Sequence, residues 1–263
     1  MLLEPLPTMN ATAYGKATKA AVKAVVEAFG GADGTIELLS ATRVNAMPYR
    51  AIIDERDALS KSLRDAVNDN NLSHFREAVK DVLRACQANS INENDMQSTL
   101  LAVQVLASFK NLDGDSSTWP QLLYTGNHIS TTAKVFGYFD PTRWTTFHPR
   151  AVARLQTVLE PLVAANADLA RLVAFPMPQD HAGHAVVPAW GHVRGGNEAK
   201  LSFLYLSWFL RHVATALSTD SKSDRPTIAA KNPWIDKSVP WKAHYVEMAL
   251  AAAYDRAKAE SLG

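Results

Sequence analysis

One stretch of this chain is rich in residues that could bind an anion. It covers residues 121–156, with the sequence QLLYTGNHISTTAKVFGYFDPTRWTTFHPRAVARLQ. Arg143, His148 and Arg150 lie within eight positions of one another on a short segment that has no helical spacing. A turn that leads into a helix leaves several backbone N–H groups without partners, and such groups bind anions. The competing interpretation is an ordinary helix–loop–helix connection between two core helices.

The elements that position these side chains follow from local turn and helix signals. Gly126, Asn127 and the residues from Ser130 to Thr132 have the composition of a turn and a helix N-cap. The stretch 133–139 then forms one apolar helical face, which ends at Asp140 because a residue that precedes proline is pushed out of the α region. Helical spacing resumes over residues 151–159, so the pattern predicts two helices joined by a corner.

A second unusual stretch is a Gly-, Pro- and His-rich segment over residues 174–197, AFPMPQDHAGHAVVPAWGHVRGGN. It has no sustained periodicity, and loops of this length in a compact domain are usually functional or disordered. Three interpretations remain open: a lid that faces a substrate, an ordinary surface excursion, and a metal site. The side chains concerned are His181, His184, Trp190 and His192.

Composition narrows the class of protein. The chain has 263 residues, 27 basic and 26 acidic, with a net charge of +1, which argues against a surface coated in positive charge. The only cysteine, Cys86, excludes an internal disulfide and a cysteine-cluster zinc site, and its helical spacing favours a buried inert thiol. We see neither a membrane-spanning run nor a signal peptide, so we expect a reducing cytoplasm and no membrane partner.

The whole chain is predicted to be all-α, with about nine helices, no alternating strand and no internal repeat. We divide it into an N-terminal helical part, 1–110, and a hairpin-containing helical part, 111–263, that together form one compact two-lobed unit. The glycine-rich nucleotide loop, the Gly-x-Ser-x-Gly elbow and the His-Glu-x-x-His motif are all missing from the sequence. The helices are predicted at 11–29, 37–43, 49–67, 72–87, 96–109, 133–139, 151–173 (in two overlapping pieces around Pro161), 198–217 and 242–258.

The run from Gly126 to Phe136, followed by Asp140-Pro141 and by Phe147 to Val152, resembles the hairpin region of helix-hairpin-helix DNA glycosylases. The resemblance covers about 35 residues well and about 140 loosely. The second hairpin glycine of that family is replaced by His128, and the position expected to hold the catalytic aspartate holds His148.

The resemblance implies a role for each residue of the stretch. Asp140 would stabilise charge on the sugar or activate water, and His148 would act as an acid or base or contact phosphate. Lys134 would face a phosphate or attack the sugar as an amine. The hairpin and its flanks would bind the DNA backbone, and aromatic and histidine side chains would line a pocket for a flipped base. The implied DNA contacts are Gly126, Asn127, His128, Ser130, Thr131, Lys134, Arg143 and Arg150, and the implied pocket residues are Trp144, His181, His184 and Trp190.

The function that the resemblance implies is a monomeric DNA glycosylase that flips a damaged or modified base out of a duplex and leaves an abasic site. It would need no cofactor and no metal. By analogy with relatives in anti-phage defence, the base could be a hypermodified phage base. Two alternatives stay open: a non-catalytic helix-hairpin-helix module that binds DNA or protein, and a small-molecule metalloenzyme that uses His181, His184 and His192.

Overall fold

The computed structural model describes residues 11–41, 43–44, 47–86, 88, 91–108, 129–165, 196–219 and 241–260. Over these residues the fold is all-α, as predicted, with nine helices and one antiparallel pair of two-residue strands. The strands are β1 (Arg43–Val44) and β2 (Met47–Pro48). The helices are α1 (Ala11–Ala28), α2 (Gly31–Ala41), α3 (Tyr49–Asn68), α4 (Leu72–Ala85), α5 (Glu93–Ser108), α6 (Ile129–Phe139), α7 (Pro149–Ala165), α8 (Gly196–Ser218) and α9 (Ala243–Glu260).

Helix α2 is longer than the sequence indicated and starts six residues earlier. Two consecutive glycines, Gly30 and Gly31, have φ angles of 71° and 75°, which only glycine adopts without strain. They turn the chain sharply after α1, so the next helix begins at once instead of after a loop. The prediction of a short helix over 37–43 was therefore wrong in its start.

Helix α4 begins where an asparagine caps it. Asn71 has an extended backbone, and its side-chain oxygen accepts hydrogen bonds from the backbone N–H groups of Ser73 and His74 at 3.0 and 3.1 Å. This is the expected use of an N-cap asparagine, because two of the unpaired N–H groups in the first turn gain an acceptor. The cap is therefore Asn71, the residue immediately before the predicted start of this helix at residue 72.

Helix α7 runs without a break through Pro161, the residue around which the sequence predicted two overlapping helical pieces. Leu155 and Leu159 are fully buried on one side of this helix, whereas Pro161 is exposed. A proline inside a helix removes one hydrogen bond, and on the solvent side water can satisfy the carbonyl that loses its partner. Burial of the apolar face therefore stabilises the helix enough for it to continue past Pro161.

One core joins helices from both predicted parts of the chain. Helices α3 and α4 pack on α6, α1 packs on α7 and α8, and α9 packs on α7 and α8. Phe136, Trp144 and Phe203 meet near the middle of the core, with ring centroids 5.7 and 5.8 Å apart for Phe136–Phe203 and Trp144–Phe203. The division of the chain at residue 110 stays a prediction.

Two further expectations concern the loop over residues 174–197 and membrane-spanning helices. Most of the predicted loop 174–197 lies outside them, but its last two residues, Gly196 and Asn197, form the start of α8. Packing of the apolar face stabilises α8, and a helix that has formed extends by further backbone hydrogen bonds to residues outside that face. Gly196 and Asn197 are such residues. Among the described helices, none is both long enough and apolar enough to cross a membrane.

Candidate functional site

The corner between α6 and α7 begins with a turn that Asp140 organises. Its Oδ1 accepts hydrogen bonds from the backbone N–H groups of Thr142 and Arg143 at 3.1 and 3.2 Å, and its Oδ2 forms an ion pair with Nε of Arg143. The backbone oxygen of Asp140 also accepts from the N–H groups of Arg143 and Trp144. Asp140 thus has the contacts of a turn residue after a helix, and both oxygens of its carboxylate have partners.

The segment that follows, 144–148, lies against the core. Trp144 is only 1% exposed and its ring stacks on Phe203, so this predicted wall of a base pocket is packed inside the protein. Thr145 is fully buried and its hydroxyl lies 3.0 Å from the hydroxyl of Ser207 in α8. A Cβ atom on Gly137 of α6 would lie 2.8 Å from the carbonyl carbon and oxygen of Thr145, so only glycine permits this close approach.

A buried carboxylate from α9 holds the end of this segment. Glu247 is 1% exposed and accepts hydrogen bonds from the backbone N–H of Thr146 at 2.7 Å, from the Thr146 hydroxyl at 2.8 Å and from the backbone N–H of His148 at 2.8 Å. Between them, Phe147 has a φ of 55°, which is unusual for a bulky side chain. Two N–H groups on either side of a left-handed residue form a concave anion site. Here the protein's own carboxylate fills it.

The charge states around this carboxylate follow from burial and hydrogen bonding. Burial alone would raise the pKa of Glu247, but the hydrogen bonds that its carboxylate accepts from the backbone N–H groups of His148 and Thr146 outweigh burial and hold that pKa below its ordinary value. Burial lowers the pKa of His244, whose Nδ1 lies 3.4 Å from Oε2 of Glu247 without hydrogen-bond geometry. Near neutral pH the pair therefore consists of an ionised glutamate and a neutral histidine.

His148 caps helix α7. Its Nδ1 accepts a hydrogen bond from the backbone N–H of Arg150 at 3.3 Å, so we assign the proton of the neutral ring to Nε2. Burial lowers the pKa of His148 to about 4, while Glu247 acts in the opposite direction. At neutral pH His148 is therefore an uncharged hydrogen-bond donor at Nε2. It has no negative charge to offer and no free lone pair with which to take up a proton.

The charges of three cations act on His148. The positive charges of Arg150, Lys134 and Arg56 each lower its pKa further, so all three are close enough to act on the imidazole. Arg150 is half exposed and forms an ion pair with Asp255 of α9 at 2.9 Å. We call Arg56, Lys134, His148 and Arg150, together with the start of α7, the basic corner.

The structure brings some of the predicted site residues together and leaves others apart. Lys134, His148 and Arg150 share the basic corner, and Arg143 is held by Asp140 in the turn beside it. Ser130 and Thr131, expected in a hairpin turn, lie in the first turn of α6, where Thr131 is 8% exposed. The remaining predicted residues lie outside the described residues: Gly126, Asn127, His128, His181, His184, Trp190 and His192.

Sequence reasoning missed two residues of this region, Glu247 and Arg56. A signal for Glu247 existed, because it is the only acidic residue in the otherwise apolar run of α9 from Val246 to Tyr254. Arg56 lies among many charged residues in α3, where nothing marks it as different from its neighbours. Cys86, expected to be a buried helical thiol, follows α4 as its C-cap and is half-buried, and burial raises the pKa of its thiol.

Among the described residues, no group of three or more histidine, cysteine or acidic side chains could hold a metal ion. Comparison of the chain with protein-family models, with curated proteins and with solved structures found no match. The basic corner is therefore the feature from which we infer the function.

Proposed function

We propose that this protein binds double-stranded DNA through phosphate contacts at the basic corner. The observation that carries the proposal is that the half-exposed Arg150 and the neutral His148 lie together at the first turn of α7, where the charges of Lys134 and Arg56 also act on the histidine ring. Such a site offers positive charge, a neutral N–H donor and the positive end of a helix, which is the combination that binds phosphate oxygens.

The net charge of +1 is compatible with this site because the cations are concentrated locally. Arg150 is the most accessible of them, with 49% of its side chain exposed, and its partner Asp255 is also on the surface. An exposed ion pair contributes little stability, so a DNA phosphate can replace the Asp255 carboxylate at small cost. The resemblance to helix-hairpin-helix DNA glycosylases supports double-stranded DNA as the polyanion.

The test is binding of the purified protein to a fluorescent DNA duplex at several salt concentrations. Arg150→Ala should weaken binding to every sequence and lower the dependence of log K on log salt by about one, because one phosphate contact is lost. Arg84→Ala is the matched control, since Arg84 also forms an exposed ion pair, with Asp81 at 3.0 Å on α4. Equal effects of the two substitutions, or no measurable affinity in low salt, would contradict the proposal.

Base excision is a second candidate, favoured by one observation. His148 caps α7 at the end of an extended segment, which is the position where the resemblance expects the catalytic aspartate. A glycosylase of this kind would have to act without a carboxylate at the position of His148, because both Asp140 oxygens have partners and Glu247 is buried. His148 would contribute a hydrogen bond from Nε2 to a developing anion or to a phosphate.

Excision is measured separately from binding, with DNAs that carry ordinary, damaged and phage-type modified bases. The protein is incubated with each DNA in the presence of a chelator, and abasic sites are converted to breaks with hot alkali. Breaks that are lost in His148→Ala would establish a glycosylase. Affinity without breaks in any of these DNAs would leave the protein as a DNA-binding module.

A further inference from the structure

The solvent side of α7 carries a second arginine, Arg154, one helical turn after Arg150. Six residues of this helix are buried, and they leave Arg150, Arg154 and Thr157 on the opposite side. Residues four positions apart in a helix lie on the same face, with Cβ atoms about 5–6 Å apart. Arg154 therefore continues the basic corner along the axis of α7.

The charge of Arg154 has no counter-charge among the residues that the structure describes. Arg150 is paired with Asp255, whereas Arg154 makes neither an ion pair nor a hydrogen bond to any described residue. The acidic residue of α7 itself is Glu160, which lies about 120° around the helix from Arg154 because each residue turns the helix by about 100°. The first two turns of α7 thus present a positive charge that is not neutralised locally.

The side chain of Arg154 is already partly held in place. The residue is half-buried, and its Nε is enclosed without a hydrogen-bond partner, so the aliphatic stem lies against the protein. The two terminal nitrogens are not enclosed in this way, and they form the end of the guanidinium fork that binds phosphate oxygens. A stem that is packed before binding loses less side-chain entropy when the fork meets a ligand.

The positive face of α7 ends after Arg154. The hydroxyl of Thr157 donates a hydrogen bond to the backbone oxygen of Ala153 at 3.1 Å, so it is already used within the helix. Pro161, the next residue on this face, is exposed and has no N–H group to donate. The cations that this face offers to a ligand are therefore Arg150 and Arg154.

We propose that one strand of the DNA follows α7 from the basic corner towards Thr157, with Arg150 on one phosphate and Arg154 on the next. The proposal rests on the DNA binding proposed above and adds the path of the DNA backbone. An isolated phosphate can occupy only one of the two arginines, whereas a strand offers each arginine a phosphate of its own. Both contacts are to the backbone, so neither discriminates between sequences.

The experiment measures binding of the purified protein to a fluorescent duplex at several salt concentrations. Arg154→Ala should weaken binding about fivefold in low salt and lower the dependence of log K on log salt by about one, and the double variant with Arg150→Ala should lower that dependence by about two. Arg76→Ala is the matched control, because Arg76 on α4 is also half-buried with an enclosed Nε and should leave binding unchanged.

A substitution that adds a charge tests the direction of the strand. Thr157→Lys places a cation further along the same face of α7 and should strengthen binding about threefold in low salt. Thr215→Lys on α8 is its control, since the Thr215 hydroxyl makes the same kind of hydrogen bond, to the backbone oxygen of Arg211 at 2.9 Å. Both substitutions add one positive charge to the protein, so a difference between them reports position alone.

Two outcomes would overturn the path along α7: Arg154→Ala binds DNA as well as Arg76→Ala does, or Thr157→Lys binds no better than Thr215→Lys. If Arg150→Ala weakens binding while these pairs do not differ, DNA binding at the basic corner stands and only the path is wrong. If the unaltered protein does not bind the duplex in low salt, DNA binding itself fails. If Arg154→Ala does not fold, the two lysine variants decide.

Discussion

Two regions of the molecule contain buried polar groups but treat them in opposite ways. They are the corner between α6 and α7, and a cavity of about 690 Å³ between α1, the start of α2 and the C-terminal half of α8. At the corner, the N–H groups of Thr146 and His148 and the hydroxyl of Thr146 all meet one carboxylate, Glu247. Beside the cavity, the buried hydroxyl of Thr18 has no hydrogen-bond partner among the described residues. The corner satisfies its polar groups from within the protein, whereas the Thr18 hydroxyl is enclosed by the helices around it and stays unsatisfied.

This difference separates structural from binding roles among polar residues. Asp140 and Glu247 are carboxylates near a candidate DNA surface, and either would attract attention as a catalytic acid in a sequence. Both are instead committed to backbone N–H groups of the same corner. What remains for a ligand at the corner is the set of cations whose charges act on His148.

The largest loss of stability should come from removal of the buried Glu247 carboxylate. Glu247→Ala leaves two buried backbone N–H groups and the Thr146 hydroxyl without their acceptor, so we expect a loss of about 3–5 kcal/mol in the free energy of unfolding. Urea denaturation measures it, with Glu260→Ala as the control, because Glu260 forms an exposed ion pair with Arg256 and should contribute nothing measurable. A loss as small as the control's would show that Glu247 does not hold the corner.

Acid should destabilise the protein before most carboxylates titrate. The pKa of His148 is about 4 in the folded protein and 6.5 when unperturbed, so the unfolded chain binds a proton between these values that the folded chain does not. Stability therefore falls as the pH drops from 6.5 to 4, by up to about 1.4 kcal/mol per pH unit for this group. Below pH 4 its contribution no longer changes.

The measurement is urea denaturation at a series of pH values, for the unaltered protein and for His148→Asn. Asparagine can still cap α7, so the variant should keep its stability near neutral pH and lose part of the acid dependence. The part that remains belongs to other groups, including His244, whose pKa is also lowered by burial. An identical acid dependence in His148→Asn would contradict the neutral assignment of His148.

A matched pair of substitutions tests the comparison directly. Thr146→Val removes a hydroxyl that donates to Glu247 and should cost about 1–2 kcal/mol, whereas Thr18→Val removes an unpartnered hydroxyl and should be neutral or stabilising by up to about 1 kcal/mol. Thermal unfolding of both variants without ligand measures the two effects. If the two substitutions cost the same, the contrast between the corner and the cavity is wrong.

The smallest effect on stability is expected for Asp255→Ala. Asp255 is 45% exposed and, among the residues that the structure describes, pairs with the half-exposed Arg150, so its removal should change the free energy of unfolding by less than about 0.5 kcal/mol. The same substitution frees Arg150 for phosphate and should strengthen DNA binding by about threefold at low salt. Weaker DNA binding in this variant would mean that Asp255 positions Arg150 instead of competing for it.

Local patterns in the sequence predicted the helices, because each helix carries its own apolar spacing. The corner between α6 and α7 was also predictable, since Asp140-Pro141 and His148 signal a turn and a cap within a few residues. The partner of that corner was not. Glu247 comes about one hundred residues later, and the pairing depends on how α9 packs on α7, which no local pattern records. The cavity was missed for the same reason, because its walls come from three helices that are distant in the chain.

The hydrogen bonds of Glu247 also set an order of events in time. The left-handed backbone at Phe147 is costly by itself, and the carboxylate on the neighbouring N–H groups offsets that cost. During synthesis the ribosome makes Phe147 about one hundred residues before Glu247. Until α9 has been synthesised and has packed on α7, no carboxylate stabilises the backbone at Phe147. In a nascent chain, the start of α7 should therefore reach its final geometry only when α9 folds.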